Sequence, residues 1–230
     1  MSDDVISLES VSKVYRVGKI EVPALTDVSL RVKKGDFDAV CGPSGSGKTT
    51  LLNIIGALDV PSGGQVWLEG KDLSVLGRAE LSRIRRDRIG FVFQAYNLIP
   101  VLTAYENAEF VLAIQGVPAE ERRKRSMLML QEVGLEGLEG RRPDELSGGQ
   151  QQRVAIARAI VTDPAVVLAD EPTANLDSHT ADSLLDMMEL LNRQKGITFL
   201  FSTHDPRVME RARRIIRLVD GRLASDENSR

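Results

Sequence analysis

The sequence predicts an α/β fold in which a parallel sheet is preceded by antiparallel β-structure and interrupted by a helical insertion. A strand, a glycine-rich loop and a helix follow one another over residues 37–58. The run 165–169 is short and fully apolar, as expected of a strand buried on both faces of a parallel sheet. Between them, the stretch 103–134 carries helix-start signals and helical periodicity. These three observations predict the fold class.

The composition is that of one globular domain. Of the 230 residues, 42% are hydrophobic and 27% charged, and no apolar run is long enough to span a membrane. A net charge of −3 gives no reason to expect a nucleic-acid partner. The single cysteine, Cys41, excludes an internal disulfide and is expected to be a small buried core residue. Because the N-terminus lacks the basic start of a signal peptide, we expect a cytoplasmic protein.

The opening of the chain is predicted to be antiparallel β-structure. Residues 6–8 and 11–15 look like short strands, and alternation over 28–32 predicts a strand with one wet face. Tyr15 either packs under this sheet or presents its ring to an adenine base. Asp38, inside the strand that enters the glycine-rich loop, must face water or find a partner, and the sequence does not decide which.

The glycine-rich loop fits the pattern of a glycine, four residues and then Gly-Lys-Ser/Thr, which binds nucleotide phosphates. Its glycines let backbone N–H groups converge on one anion, and the N-terminus of the next helix adds partial positive charge. Lys48 supplies a charge for the β- and γ-phosphates, and the Thr49 hydroxyl is placed to bind Mg²⁺. The phosphate-binding residues are Gly42, Pro43, Ser44, Gly45, Ser46, Gly47, Lys48, Thr49 and Thr50. Thr50 opens a helix predicted to reach Leu58, with Leu58 on its buried face.

The middle of the chain is predicted to be helical. A basic helix over 78–88 and a buried strand over 89–93 lead to Gln94. A capping box at Thr103 opens a helix to about Gln115. A helix that starts at Pro118 is amphipathic through four residues expected to be buried: Met127, Leu128, Leu130 and Val133. We interpret this section as a lobe inserted into the α/β core.

A second glycine motif, Leu146–Gln150, precedes a helix predicted over 151–161. Ser147, Gly148, Gly149 and Gln150 at a helix N-terminus are chemically an anion site. A simple capped turn explains the serine and one glycine equally well, so the motif alone leaves both interpretations open.

Acidic residues follow the apolar strand 165–169 at its carboxyl end, where ligands bind in open α/β sheets. Asp170 is expected on the Mg²⁺ shell and Glu171 on the attacking water. His204 follows a second predicted core strand, 197–201, and is either a structural or a catalytic histidine.

The remaining elements complete the α/β pattern. Residues 174–177 form a loop before a helix over 180–191. A closing hairpin is predicted over 214–223, and the polar tail 224–230 is expected to lack structure.

Together these motifs resemble the nucleotide-binding subunit of ATP-binding cassette (ABC) transporters over nearly the whole chain. The resemblance implies one ABC ATPase domain over 1–230. Residues 1–94 and 151–223 would form a P-loop NTPase core with an N-terminal antiparallel β-subdomain. Residues 95–150 would form an inserted helical subdomain, and 224–230 a tail.

The resemblance also implies roles for single residues. Tyr15 would stack on adenine, and Gln94 would touch Mg²⁺ or water and the transport subunit. Glu171 would be the general base, and His204 the switch residue on the γ-phosphate. Ser147 would serve the ATP of a second subunit, because two such subunits sandwich two ATP molecules in a homodimer.

The stretch 168–177, with Ala169 and Asn175, looks like the lipoprotein-releasing (LolD) and macrolide-export (MacB) group. That group implies an integral membrane permease of FtsX/MacB-like type, no nucleic acid, and a place on the inner face of the cell membrane. An FtsE-like cell-division relative stays an alternative. Soluble ABC ATPases of DNA repair are a second one, but they carry a long coiled coil, and only 52 residues separate Gln94 from Leu146.

Overall fold

The computed structural model of the chain describes residues 3–228, which form two sheets and the helices that pack on them. The strands are β1 (Asp4–Val17), β2 (Ile20–Lys33), β3 (Phe37–Cys41), β4 (Gly63–Leu68), β5 (Lys71–Asp72), β6 (Ile89–Val92), β7 (Val166–Asp170), β8 (Phe199–Thr203), β9 (Arg214–Val219) and β10 (Arg222–Asn228). The helices are α1 (Lys48–Ile55), α2 (Arg78–Arg88), α3 (Ala104–Ile114), α4 (Ala119–Glu132), α5 (Gly148–Ile160), α6 (Ser178–Lys195) and α7 (Pro206–Arg211). A short 3-10 turn, Pro143–Glu145, precedes α5.

The central sheet has the strand order β10-β9-β3-β8-β7-β6 and is parallel except for its edge strand β10. Alternate residues of β3 face opposite sides: Phe37 joins the core formed with α5, α6 and the helical section, whereas Val40 joins the core formed with α1 and the second sheet. Burial on both faces explains why β3, β7 and β8 are apolar almost throughout, so the α/β prediction is confirmed.

The second sheet is antiparallel, with the order β2-β1-β4-β5. In β2, Val28, Leu30 and Val32 are buried and the residues between them are exposed, as the alternation predicted. The two short strands predicted over 6–8 and 11–15 are one strand, β1. Register shifts on either side of Val11 let that strand bend without ending.

Two helix faces differ from the prediction. Helix α1 ends at Ile55, because Ala57 is left-handed, with φ of 55°, and the Leu58 N–H turns back to the Asn53 carbonyl at 2.8 Å. Leu58 therefore lies beyond the helix and is 48% exposed. In α4, Met129 and Leu130 point inward and Leu128 is 52% exposed. A stretch of adjacent apolar residues does not fix the rotation of a helix to within one residue, so packing against α3 and α5 decided it.

The polar tail expected to lack structure is ordered at least to Asn228. Residues 222–228 pair with β9, and the guanidinium of Arg214 makes two hydrogen bonds of 2.5 Å to the carboxylate of Asp226. Strand pairing and this ion pair hold a segment that its composition alone would leave free. Residues 229 and 230 lie outside the described part.

Asp38 is the polar exception in the core. It is 1% exposed on β3, on the face shared with Val40, and the nearest guanidinium nitrogen of Arg214 lies 3.5 Å from its carboxylate. Arg214 is already bonded to Asp226, and Oδ2 of Asp38 makes no hydrogen bond. Burial, with Asp36 nearby, raises the pKa of Asp38 from 3.8 to about 7. Asp38 thus has Arg214 as its charge partner, but its Oδ2 oxygen is left without a hydrogen bond.

We expect Asp38→Asn to stabilise the protein at pH 8. Unfolded Asp38 loses its proton near pH 4 and folded Asp38 near pH 7, so between these values the folded state holds one more proton. Stability therefore falls as pH rises through this window, by up to roughly 4 kcal/mol. The variant should lose that slope and gain thermal stability at pH 8, measured by unfolding from pH 4 to 8. The exposed Asp144→Asn is the control, and an unchanged slope in Asp38→Asn would contradict the assignment.

Candidate functional site: a phosphate-loop cavity

The loop between β3 and α1 borders a cavity of about 600 Å³ at the carboxyl ends of the central strands. The cavity collects residues from segments far apart in the sequence, as the topology predicted. It is lined by Ala24, Gly42, Pro43, Ser44, Gly45, Gly47, Lys48, Thr49, Thr50, Gln94, Asp170, Glu171, Ala174, Ser202 and His204. The predicted loop residues other than Ser46, both acids, Gln94 and His204 therefore surround one space.

The loop is shaped to expose backbone and one ammonium group. Gly47 precedes α1 with φ of 101°, and a side chain there would collide with the Ala24 carbonyl, so only glycine fits. The Lys48 ammonium donates to the carbonyls of Gly42 at 2.8 Å and Pro43 at 3.1 Å, which holds its charge inside the loop. Ser46 differs from its neighbours: its side chain is buried, and its N–H bonds to the Pro43 carbonyl at 3.2 Å.

The hydroxyl of Thr49 and the carboxylate of Asp170 meet across the cavity at 3.4 Å. Both are hard oxygen donors, the kind that Mg²⁺ prefers, and this ion usually takes only one or two protein ligands beside phosphate and water. No cluster of three or more His, Cys, Asp or Glu suited to a metal occurs within residues 3–228. The Thr49–Asp170 pair thus offers two oxygen ligands of the kind that Mg²⁺ takes.

Glu171 is held by three contacts from the neighbouring strand and its loop. Its backbone is left-handed, with φ of 46°, and its N–H donates to the Ser202 carbonyl at 2.9 Å. Oε1 lies 2.6 Å from Nδ1 of His204, and Oε2 accepts from the Thr203 hydroxyl at 3.1 Å. A left-handed non-glycine residue is uncommon and is concentrated at functional sites. The carboxylate is therefore fixed inside the cavity, beside Asp170.

Tyr15 lies at the edge of the site, not in the lining of the cavity. Its ring is partly exposed, its hydroxyl donates to Asp59 at 2.9 Å, and the Lys13 ammonium sits 4.9 Å from the ring centroid. Burial raises the pKa of the Tyr15 phenol, and a hydrogen bond with Thr50 opposes that shift. The ring is thus partly exposed beside the first turn of α1.

Hydrogen bonds connect the segment around Gln94 to the loop 174–177 and to helix α5. The amide of Asn175 donates to the Gln94 carbonyl at 2.9 Å, which links the loop 174–177 to it. From α5, Arg158 donates to the carbonyls of Tyr96 at 3.0 Å and Asn97 at 2.6 Å, and burial lowers its pKa. A movement of α5 therefore reaches this segment through hydrogen bonds.

The second glycine motif caps α5. The Ser147 hydroxyl accepts from the Gln150 N–H at 3.3 Å, and the Gln150 side chain accepts from the Ser147 N–H at 2.8 Å. Gly149 packs against Thr180, where a side chain would clash. Within the described residues, none of 146–150 lines the phosphate-loop cavity. The cap forms as a capped turn would, and anion binding by this motif stays a prediction, because its residues do not line the cavity of their own chain.

An apolar groove of about 480 Å³ lies between the central sheet and the helical section. Its lining includes Leu58, Arg85, Phe91, Phe93, Asn97, Phe110, Ile114 and Arg158. Phe110 is 39% and Ile114 53% exposed. The segment 95–102 is more apolar than an ordinary surface loop, which predicts a contact surface of this kind there. Leu98 instead packs against the core, because the backbone of Ile99 is pinned by the side chain of Asn107 and turns it inward.

Sequence reasoning missed three residues at the site. Ala24 and Ser202 line the cavity, and Thr203 holds Glu171. Ala24 lies on β2, and no local pattern connects it with a loop twenty residues later. Ser202 and Thr203 end a predicted strand, so their position at the sheet edge was available, but their contacts depend on the register between β7 and β8.

The fold and the cavity together define a P-loop nucleoside triphosphatase. The sequence matches the family described as "ABC transporter" over residues 25–174. The chain belongs to this family and is an ABC-type ATPase.

Its relatives differ in length. The lipoprotein-releasing system ATP-binding protein LolD of Anaeromyxobacter dehalogenans is 48% identical over 96% of this chain and 93% of its own. The macrolide export ATP-binding/permease protein MacB 1/2 of Paracoccus denitrificans is 46% identical over 97% of this chain, which spans only 33% of that relative. This chain thus matches LolD nearly end to end and about a third of MacB.

Two solved structures of a cassette from Methanocaldococcus jannaschii, MJ0796, share the fold. Both are described as dimeric, and one matches with a TM-score of 0.90 at 46% identity, over 98% of this chain and 99% of that one. The other, a post-hydrolysis state bound to ADP and Pi, has a TM-score of 0.90 at 45% identity and the same coverage of 98% and 99%.

Proposed function

We propose that this chain binds ATP with Mg²⁺ in the phosphate-loop cavity, hydrolyses it as one of two paired cassettes, and drives a membrane permease. The observation that carries the proposal is the Glu171 carboxylate, fixed within the cavity that the loop and Asp170 also line. Phosphate release by the purified protein, measured with ATP in the presence and absence of Mg²⁺, tests the hydrolytic part.

Each loop group would act on the phosphates. Backbone N–H groups of 44–49, other than that of Ser46, and the N-terminus of α1 would bind them, and Lys48 would exchange its two carbonyl partners for phosphate oxygens. Thr49, Asp170 and Gln94 would hold Mg²⁺, which when bound neutralises charge on the phosphates. Tyr15 would stack on the adenine.

Glu171 would take the proton of the attacking water. In that role it would accept the hydrogen bond in its 2.6 Å contact with Nδ1 of His204, with Nδ1 as the donor. The imidazole is 75% exposed, so it is able to turn toward a γ-phosphate that enters the cavity. His204 would thereby sense the nucleotide and release one oxygen of Glu171 for the water.

Pairing of two chains would complete the site. Ser147 and its glycines sit at a helix N-terminus, which favours an anion, yet they are absent from the lining of the chain's own cavity. A second chain placed head to tail would bring its Ser147 to the phosphates bound by the first. The relatives with dimeric cassettes support this arrangement.

The apolar groove would receive a cytoplasmic segment of a permease of FtsX/MacB-like type. Exposed apolar surface rimmed by arginines marks a contact site, and this groove joins the Gln94 segment to the helical lobe, for which we propose the bounds 95–150. The names of the LolD and MacB relatives support lipoprotein release or export as the work performed. Within residues 3–228 no helix is long and apolar enough to cross a membrane. We place the chain peripherally on the inner face of the membrane, held by the permease.

Phe110→Asp combined with Ile114→Asp should abolish co-purification with the permease while ATP binding persists. Both side chains are partly exposed in the groove, so a charge there blocks an apolar partner at little cost to folding. Affinity capture of the tagged chain from membranes, with nucleotide binding measured in parallel, checks the result. Leu190→Asp, on α6 away from the groove and 51% exposed, is the matched control. Normal capture of the double variant would place the permease contact on another surface.

A further inference from the structure

The hydroxyl of Thr203 has an environment that fixes the direction of its hydrogen bonds. Thr203 is the last residue of β8 and is fully buried. Its oxygen accepts from the Asp205 N–H at 2.9 Å and donates to Oε2 of Glu171 at 3.1 Å. A hydroxyl has a single hydrogen, a backbone N–H only donates and a carboxylate only accepts. The chain of bonds therefore runs one way, from Asp205 through Thr203 to Glu171.

The register between β7 and β8 places the Thr203 hydroxyl next to the Glu171 carboxylate. Strands β7 and β8 are parallel neighbours, with Asp170 opposite Ser202, so the next residue of each, Glu171 and Thr203, lies at the same level. The Glu171 N–H bonds the Ser202 carbonyl at 2.9 Å, which keeps this pairing one residue beyond the ladder. Contact between the two side chains is thus built into the sheet.

The residue that donates to Thr203 is itself anchored. The Asp205 carboxylate accepts from the Thr173 hydroxyl at 2.8 Å and from the Arg207 guanidinium at 2.8 Å. Two sets of contacts thereby join the loop after β7 to the end of β8 and its loop: those of Glu171, and the hydrogen bond from Thr173 to Asp205. The Thr203 oxygen has little freedom to move away from Glu171.

The two contacts of the Glu171 carboxylate differ in mobility. His204 is 75% exposed in its side chain, whereas Thr203 is buried and has one side-chain rotor. If the imidazole turns to a phosphate, Thr203 is the contact that stays. We propose that Thr203 is a positioning residue, which holds the Glu171 carboxylate toward the attacking water after His204 has left it. This inference rests on the proposed role of Glu171 as general base.

Thr203→Val keeps the shape of the side chain and removes the hydroxyl. We expect kcat for ATP hydrolysis to fall about tenfold, because a base that is free to rotate spends less time aligned with the water. KM for ATP should stay within about twofold, since Thr203 does not line the phosphate loop. Thr203→Ser, which restores the hydroxyl, should recover kcat to within about twofold of wild type. Steady-state phosphate release measures both constants.

The matched control is Thr198→Val. Thr198 is also buried and its hydroxyl also accepts a backbone N–H, from Gly35 at 3.0 Å, but it lies at the other end of the strand. The Thr198→Val variant should lose about as much thermal stability as Thr203→Val and keep the wild-type kcat. If Thr203→Val does not fold, as judged by thermal unfolding and nucleotide binding, Thr203→Ala removes the same hydroxyl without adding a methyl group.

A second readout separates positioning from general damage. In a Glu171→Gln background, Thr203→Val should change the residual rate by less than about twofold, because two residues that act as one unit are not additive. Three results would each overturn the inference. The first is a full tenfold loss from Thr203→Val in the Glu171→Gln background, and the second is a wild-type kcat for Thr203→Val alone. The third is a rate for Thr203→Ser as low as the rate for Thr203→Val. If Glu171→Gln itself keeps wild-type turnover, it is the proposed general base that fails.

Discussion

Glu171→Gln should bind ATP and hydrolyse it at least about 10²-fold more slowly than wild type. The amide has the shape of the carboxylate and keeps an oxygen for the Thr203 hydroxyl, but it does not accept the proton of a water molecule. None of the groups that contact the phosphates in the proposed site is changed. The nucleotide should therefore remain bound, and the paired form that requires ATP should accumulate.

Size-exclusion chromatography with and without ATP, beside phosphate release, measures this result. The control for the loss of one negative charge is Glu136→Gln, because Glu136 is exposed in the loop that follows α4. A monomeric profile in ATP together with wild-type turnover would show that Glu171 is not the base.

Lys48→Ala and Ser147→Arg should both abolish hydrolysis, but for different reasons. Lys48 carries the ammonium group inside the phosphate loop, so its loss should weaken ATP binding at least about tenfold. Ser147 caps α5 and does not line the loop cavity. Its replacement should leave ATP binding to the single chain nearly unchanged and remove turnover, since the serine would act on the partner's ATP. Equilibrium nucleotide binding and phosphate release on each variant separate the two.

A mixture of the two variants tests the pairing directly. In a mixed pair, the chain with intact Lys48 meets the chain with intact Ser147, so one site of two should hydrolyse ATP. The control is a mixture of Lys48→Ala with Glu171→Gln, in which every site carries a defect. Activity should return in the first mixture and not in the second. No recovery at any mixing ratio would contradict a site shared between chains.

Much of the site could be predicted because its signals are local. The loop 42–49 needs its glycines and Lys48 in one short segment, so spacing alone identifies it. Asp170, Glu171 and His204 follow buried strands directly, and the carboxyl ends of parallel strands share one edge. The structure places all of them except Ser46 around a single cavity. The capping box at Thr103 is equally local, and it forms as predicted.

The sequence by itself determined the α/β class, the phosphate loop and the class of nucleotide site, since each rests on residues a few positions apart. The tertiary structure decided what depends on distant partners. Leu98 packs against the core, whereas Leu58 lines the apolar groove. Residues 224–228 are ordered by pairing with β9. Asp38 is buried beside Arg214, which is already paired with Asp226. The tertiary structure also brought Thr203 to Glu171, 32 residues away, through the register of two parallel strands. Such contacts arise from packing and strand pairing, and no local pattern of residue types encodes them.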